Sequence, residues 1–108
     1  MPAKKFADLR EFLAALEKLG ELKTIEGADW DLEIGALTEI VAEQDGPALL
    51  FDKIKGYPEG YRVASNFWAS LRRCALLFDL PLQSTGLDVV RRFREIKRDY
   101  NPIPPIEV

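Results

Sequence analysis

Acid-base and nucleophilic chemistry need particular side chains within reach of one another, and this chain of 108 residues is sparing with them. It has no histidine and one cysteine, Cys74, so it offers no imidazole base, no histidine-assisted nucleophile and no histidine metal ligand. Cys74 lies in the apolar run Cys74-Ala75-Leu76-Leu77-Phe78, a setting in which a thiol is inert. The acids that stand close together, Asp29 with Asp31 and Glu39 with Glu43, are of the type that shuttles a proton or holds a hard cation. At those spacings they read better as solvated acids on helix surfaces. The sequence contains no glycine-rich phosphate loop, Cys-x-x-Cys pair, Asp-rich calcium loop or nucleophile elbow. Its residues therefore point to no catalytic, cofactor-binding or metal-binding set.

What remains is the chemistry of recognition. The net charge of -3 hides an uneven distribution: up to Gly60 there are 7 basic and 13 acidic residues, and after it 8 basic and 5 acidic. The basic side comes from Arg72 and Arg73 and from Arg91, Arg92, Arg94, Lys97 and Arg98, a set suited to an acidic partner surface or to phosphate. Asp88, Glu95 and Asp99 interleave with the last group, so a solvated helix face laced with ion pairs explains the same pattern. Beside Arg72 and Arg73 stand Asn66-Phe67-Trp68. Phe67 suits a core, Trp68 suits a core or a neighbour's surface equally, and Asn66 suits a turn or cap. Tyr57-Pro58 reads as a surface turn. The candidate interface residues are thus Asn66, Trp68, Arg72, Arg73, Arg91 and Arg94.

These side chains need a scaffold, and hydrophobic periodicity supplies one. Leu9, Phe12, Leu13, Leu16 and Leu19 form one helical stripe, with Asp8 and Glu11 as a capping arrangement and Gly20 as terminator. Glu21 to Glu26 reads as an edge strand. A second helix begins near Asp31, runs through Ile34, Leu37, Ile40 and Val41, and stops at Gly46-Pro47. Ala48-Leu49-Leu50-Phe51 reads as a buried strand, and Gly56 to Gly60 turns the chain into a further strand, Tyr61 to Ser65, paired antiparallel with it. Ser70 caps a third helix with Leu71, Cys74, Leu77 and Phe78 on its apolar side, ended by Leu80-Pro81. Thr85 and Asp88 cap a fourth, for which Leu87, Val90, Phe93, Ile96 and Tyr100 predict a buried stripe. The order αβαββαα implies a single α+β domain: a small mixed or antiparallel sheet of about three strands flanked by helices.

With 47% hydrophobic and 31% charged residues, the composition is that of one soluble domain and excludes disordered and collagen-like chains. Lys4 and Lys5 are followed at once by Asp8, Arg10 and Glu11, which is unlike a secretory signal. No run approaches the roughly 18 apolar residues needed to cross a bilayer. A lone cysteine forms no internal disulfide. The expectation is a reducing, cytoplasmic setting. Residues 1–100 read as the domain. Residues 101–108, with three prolines, read as an extended linker whose apolar residues have no evident core to join, which suggests a chain cut from something longer.

The order of landmarks resembles the start of UbiD-family decarboxylases. The resemblance is carried by Asp8-Leu9-Arg10-Glu11-Phe12-Leu13, Gly20-Glu21-Leu22 and Asp31-Leu32-Glu33-Ile34-Gly35-Ala36-Leu37. It continues in Pro47-Ala48-Leu49-Leu50-Phe51, Ile54-Lys55-Gly56, Val63 to Ser70 with Arg73-Cys74-Ala75, and Asn101-Pro102-Ile103-Pro104-Pro105. Trp68 and Leu77-Phe78-Asp79 depart from the commoner glycine-bearing versions. The resemblance implies reversible, non-oxidative decarboxylation of aromatic or α,β-unsaturated carboxylic acids by a homo-oligomeric enzyme. That enzyme uses prenylated flavin mononucleotide, a divalent metal (Mn or Mg) and potassium. In the family, the cofactor cradle and catalytic residues belong to a central domain downstream of the segment matched here. The expectation is an N-terminal accessory domain, inactive alone, that packs beside the flavin-binding domain. Two other readings use the same residues. One is a freestanding small subunit or interaction module that docks on a separate catalytic chain through Trp68 and the basic helix. The other is a nucleic-acid-binding module using Arg91, Arg92, Arg94 and Arg98.

Overall fold

The computed structural model describes residues 6–107; Lys4, Lys5 and Val108, which entered the reading of the two termini, lie outside the described residues. The elements are α1 (Leu9–Lys18), β1 (Leu22–Glu26), α2 (Glu33–Glu43), β2 (Ala48–Asp52), β3 (Val63–Ser65), α3 (Leu71–Leu77) and α4 (Gly86–Arg98). The order is the expected αβαββαα, and the sheet is mixed. β2 lies in the middle, parallel to β1 with Leu22 opposite Ala48 and Ile25 opposite Phe51, and antiparallel to β3 with Leu50 opposite Ala64.

The sequence of β2 explains this arrangement. Successive strand side chains point to opposite faces, and Ala48-Leu49-Leu50-Phe51 is apolar at every step, so both faces must be covered. Ala48 and Leu50 pack with Phe12, Leu13 and Leu16 of α1 and Leu76 of α3. Leu49 and Phe51 pack with Ile54 and Ala28 and with Ile34, Leu37 and Val41 of α2. Two parallel strands need a crossover connection, and α2 serves as that connection while covering the second face. β1 is an edge strand, as its mixed polarity implies.

The helix ends follow local chemistry. The Asp8 carboxylate accepts the Glu11 N–H at 3.1 Å, and the Glu11 carboxylate reaches back to the Ala7 N–H at 2.7 Å. Gly20, at φ 74°, ends α1 with its N–H on the Glu17 carbonyl and the Glu21 N–H on the Leu16 carbonyl, the paired bonding of a Schellman motif. α2 and α3 end in the same way, but with Asp45 and Asp79 in the left-handed position (φ 52° and 56°).

Four expectations change. α2 starts at Glu33, not Asp31: the Asp29 carboxylate accepts the Asp31 N–H at 3.0 Å in a tight turn, and Leu32, at φ 67°, precedes the helix without a side-chain cap. β3 begins at Val63 because Tyr61 is still held in the preceding turn, its N–H on the Pro58 carbonyl. α3 spans two turns and directs Arg73, Ala75 and Leu76 inward, leaving Leu71 exposed. Leu76 fits the α1 side of the core and Arg73 meets a carboxylate, so these residues set its rotation. The stripe of α4 is not buried: no residue of that helix is. The two sheet faces are already occupied by α1 with α3 and by α2, so α4 is left to lie against α3, where Phe93 meets Phe78.

Two glycines test the packing. A Cβ on Gly46 would stand 2.6 Å from Val41 Cγ1 and 3.1 Å from the Val41 carbonyl, whereas one on Gly35 in α2 meets nothing within 4 Å. Gly46→Ala should cost about 1–3 kcal/mol through overpacking, and Gly35→Ala should add about 0.5–1 kcal/mol by removing helix-interior glycine. Urea unfolding of the two variants measures this; changes of the same sign would refute the steric account.

Candidate functional site

Two surfaces gather the recognition residues. The first is the turn from β3 into α3. Asn66 adopts φ 57°, and its side-chain amide donates to the Pro47 carbonyl at 2.9 Å and less closely to that of Gly46, tying the end of β3 to the start of β2. Ser70 caps α3 by accepting the Arg73 N–H at 3.1 Å. The Cys74 thiol donates to the Trp68 carbonyl at 3.3 Å, which gives the lone cysteine a structural task. With its backbone pinned, Trp68 projects outward, 61% exposed, its ring edge-on to half-buried Phe67 at 5.6 Å.

Beneath this turn lies an ion-pair trio. Arg73 is only 2% exposed, and its Nη1 donates to Glu21 Oε2 at 3.1 Å, while Arg72 Nε stands 3.4 Å from Glu21 Oε1. Glu21 directly follows the Schellman turn of α1, so the trio fastens α3 to the start of β1. Among the described residues the buried Arg73 Nε has no hydrogen-bond partner.

The second surface is α4. Its first turn is a complete capping box, with the Thr85 hydroxyl accepting the Asp88 N–H at 3.3 Å and the Asp88 carboxylate accepting the Thr85 N–H at 3.0 Å. The backbone and then the side-chain hydrogen bond of Thr85 hold the Asp88 carboxyl below its ordinary range; desolvation opposes them, and the charge of Arg91 adds to them. Arg92 reaches Glu95 at 3.2 Å and the Asp79 carbonyl at 3.5 Å, and Phe93 meets Phe78 at 6.2 Å between ring centres. These contacts hold α4 beside α3 and leave an open groove lined by Leu80, Pro81, Ser84, Asp88, Arg91 and Glu95.

Of the residues singled out from sequence, Trp68, Arg91 and Arg94 are exposed and Arg72 is about half exposed, while Asn66 and Arg73 direct their polar groups into the domain. Sequence reasoning missed that Leu87, Val90 and Phe93 of α4, and Tyr100 just past its end, stay more than half exposed. A signal for it existed: three strands have two faces, and four helices are more than those faces accommodate.

Among the described residues no three cysteine, aspartate or glutamate side chains converge on a common point.

Comparison with known proteins identifies the fold. Residues 13–93 match the family model of the 3-octaprenyl-4-hydroxybenzoate carboxy-lyase N-terminal domain, and the chain belongs to this UbiD N-terminal domain family. It is 35% identical to a phenolic acid decarboxylase of Sedimentibacter hydroxybenzoicus over 95% of its own length and 22% of that protein's. Solved structures of vanillic acid decarboxylase from the same organism superpose with a TM-score of 0.74 for an open form and 0.67 for a closed form, each at 35% identity and the same coverage. The chain thus spans about a fifth of the length of the relatives it matches.

Two outcomes follow from this geometry. Glu21→Gln leaves the buried Arg73 guanidinium without a counter-charge and should cost about 3 kcal/mol, the low end for breaking a buried pair because Glu21 keeps part of its side chain in water. Arg72→Ala, at the exposed end of the trio, should cost less than about 1 kcal/mol. Chemical denaturation of both variants makes the comparison, and equal losses would mean that Arg73 does not depend on Glu21. Because the folded Asp88 carboxyl titrates below its unfolded value, its contribution to α4 is fully present above the unfolded pKa of about 3.9 and fades as pH falls through the lower folded value. A carboxyl-carbon NMR titration should show that low midpoint, moving upward in Thr85→Ala; an unmoved midpoint would exclude the Thr85 hydroxyl as a cause.

Proposed function

We propose that this chain serves as the N-terminal accessory domain of a UbiD-type enzyme catalysing reversible, non-oxidative decarboxylation of aromatic or α,β-unsaturated carboxylic acids. The observation that carries the reading is 35% identity to a phenolic acid decarboxylase across 95% of the chain, together with a shared fold. In this reading prenylated flavin mononucleotide, a divalent metal (Mn or Mg) and potassium are held by the catalytic portion of the enzyme, a cytoplasmic homo-oligomer. Residues 1–100 form the accessory domain and residues 101–108 the extended linker to the flavin-binding domain. Trp68, Arg72, Arg91 and Arg94 face that domain, with Asn66 and Arg73 fixing the turn that presents Trp68. The role of the domain is to pack beside the flavin-binding domain and shape the approach to its active site.

A graft tests this. The 108 residues replace the matching N-terminal segment of the Sedimentibacter phenolic acid decarboxylase, and release of carbon dioxide from a phenolic acid is measured. The chimera should turn over while the 108-residue chain alone should not. Turnover by the chain alone would overturn the division of labour, and a folded, flavin-loaded chimera without turnover would overturn the assignment.

A further inference from the structure

The structure assigns the outward face of α4 as the seam on which the catalytic portion of a UbiD-type decarboxylase docks. This rests on the functional reading above and adds to it the surface and the chemistry of the partner. α4 is a fully formed helix with a complete capping box at its start and Lys97 and Arg98 in its last turn, yet it contains no buried residue. It leans on the domain along one edge, through half-buried Val89, Arg92 and Ile96. Leu87, Val90 and Phe93 follow one another at three-residue spacing as a ridge that runs obliquely round the helix, from its outward side to the flank where Phe93 meets Phe78, with Tyr100 just past the helix end, and each is between 51% and 68% exposed. Apolar residues scattered singly over a surface need no explanation. A continuous ridge of them along one helix marks a surface that another protein covers.

Coverage and charge identify the occupant. The relatives carry the matched segment as 22% of a longer chain, so most of the same enzyme adjoins this domain in them. Arg91, Arg94, Lys97 and Arg98 border the stripe, and two-fold pairing of α4 with a second copy would set these cations against one another. The occupant therefore has an apolar centre and an acidic rim. Ile103 and Ile106 leave the same end of α4 almost wholly exposed, extending the apolar surface along the linker.

Hydroxyl-radical footprinting read by mass spectrometry tests the seam without relying on turnover. Phe93 and Tyr100 are the probes and Tyr57, exposed on the 56–60 turn, is the reference. Both probes should be oxidised several-fold more slowly in the chimera described above than in the isolated chain, with Tyr57 unchanged. Equal rates in a chimera that decarboxylates would overturn the seam while leaving the functional reading intact, whereas protection in an inactive chimera would do the reverse. Protection that grows with concentration in the isolated chain would assign the face to a second copy and also overturn the proposal. As a second arm, Val90→Asp should lower the melting temperature and probe protection of the chimera but leave the melting of the isolated chain unchanged. If chimera and chain lost stability equally, the face would belong to the domain's own core.

Discussion

The fold depends on a strand of five residues with no free face. β2 alternates Ala48 and Leu50 to one side and Leu49 and Phe51 to the other, so it is stable only with a layer on each. A parallel neighbour forces a crossover, which places α2 on one side, and α1 and α3 close the other. The finer contacts guard this strand. Asn66 ties β3 to the residue before it, Gly46 passes beneath Val41 at its approach, and the Glu21–Arg73 pair locks α3 to the neighbouring strand.

Much of this was legible in the residues. The element order, the caps at Asp8, Ser70 and Thr85, the buried strand and its antiparallel partner all have local signatures, because a cap or an alternating run is decided by a few neighbouring side chains. What could not be read was which apolar side of a helix finds a partner. Leu71 and Leu76 lie on different sides of α3, and the rotation that buries Arg73 is selected by Glu21 and the α1 side of the core, both far away in the chain. α4 is the clearest case: Leu87, Val90 and Phe93 have the spacing of a core helix, and periodicity carries no information about whether a core is there to receive it. Of the candidate site, the exposed cations and Trp68 were visible because charge and aromatic size are local properties. The inward turn of Asn66 and Arg73 was not, because it depends on contacts with β1 and β2.

The domain's polar groups serve architecture more than reaction chemistry. Its most deeply buried charge holds a helix to the sheet, its lone thiol steadies a backbone turn, and its shifted carboxyl caps a helix. Left over are an aromatic side chain on a rigid turn and a cationic helix with an apolar side. This distribution suits surface recognition.

The outward stripe of α4 also leaves a calorimetric mark. The heat capacity of unfolding scales with the apolar surface newly exposed to water, and the stripe is hydrated before unfolding begins. The free domain should therefore unfold with a smaller heat-capacity increment than its composition suggests. In the proposed docking the missing part would belong to the association step, where covering these residues gives a negative heat-capacity change of binding.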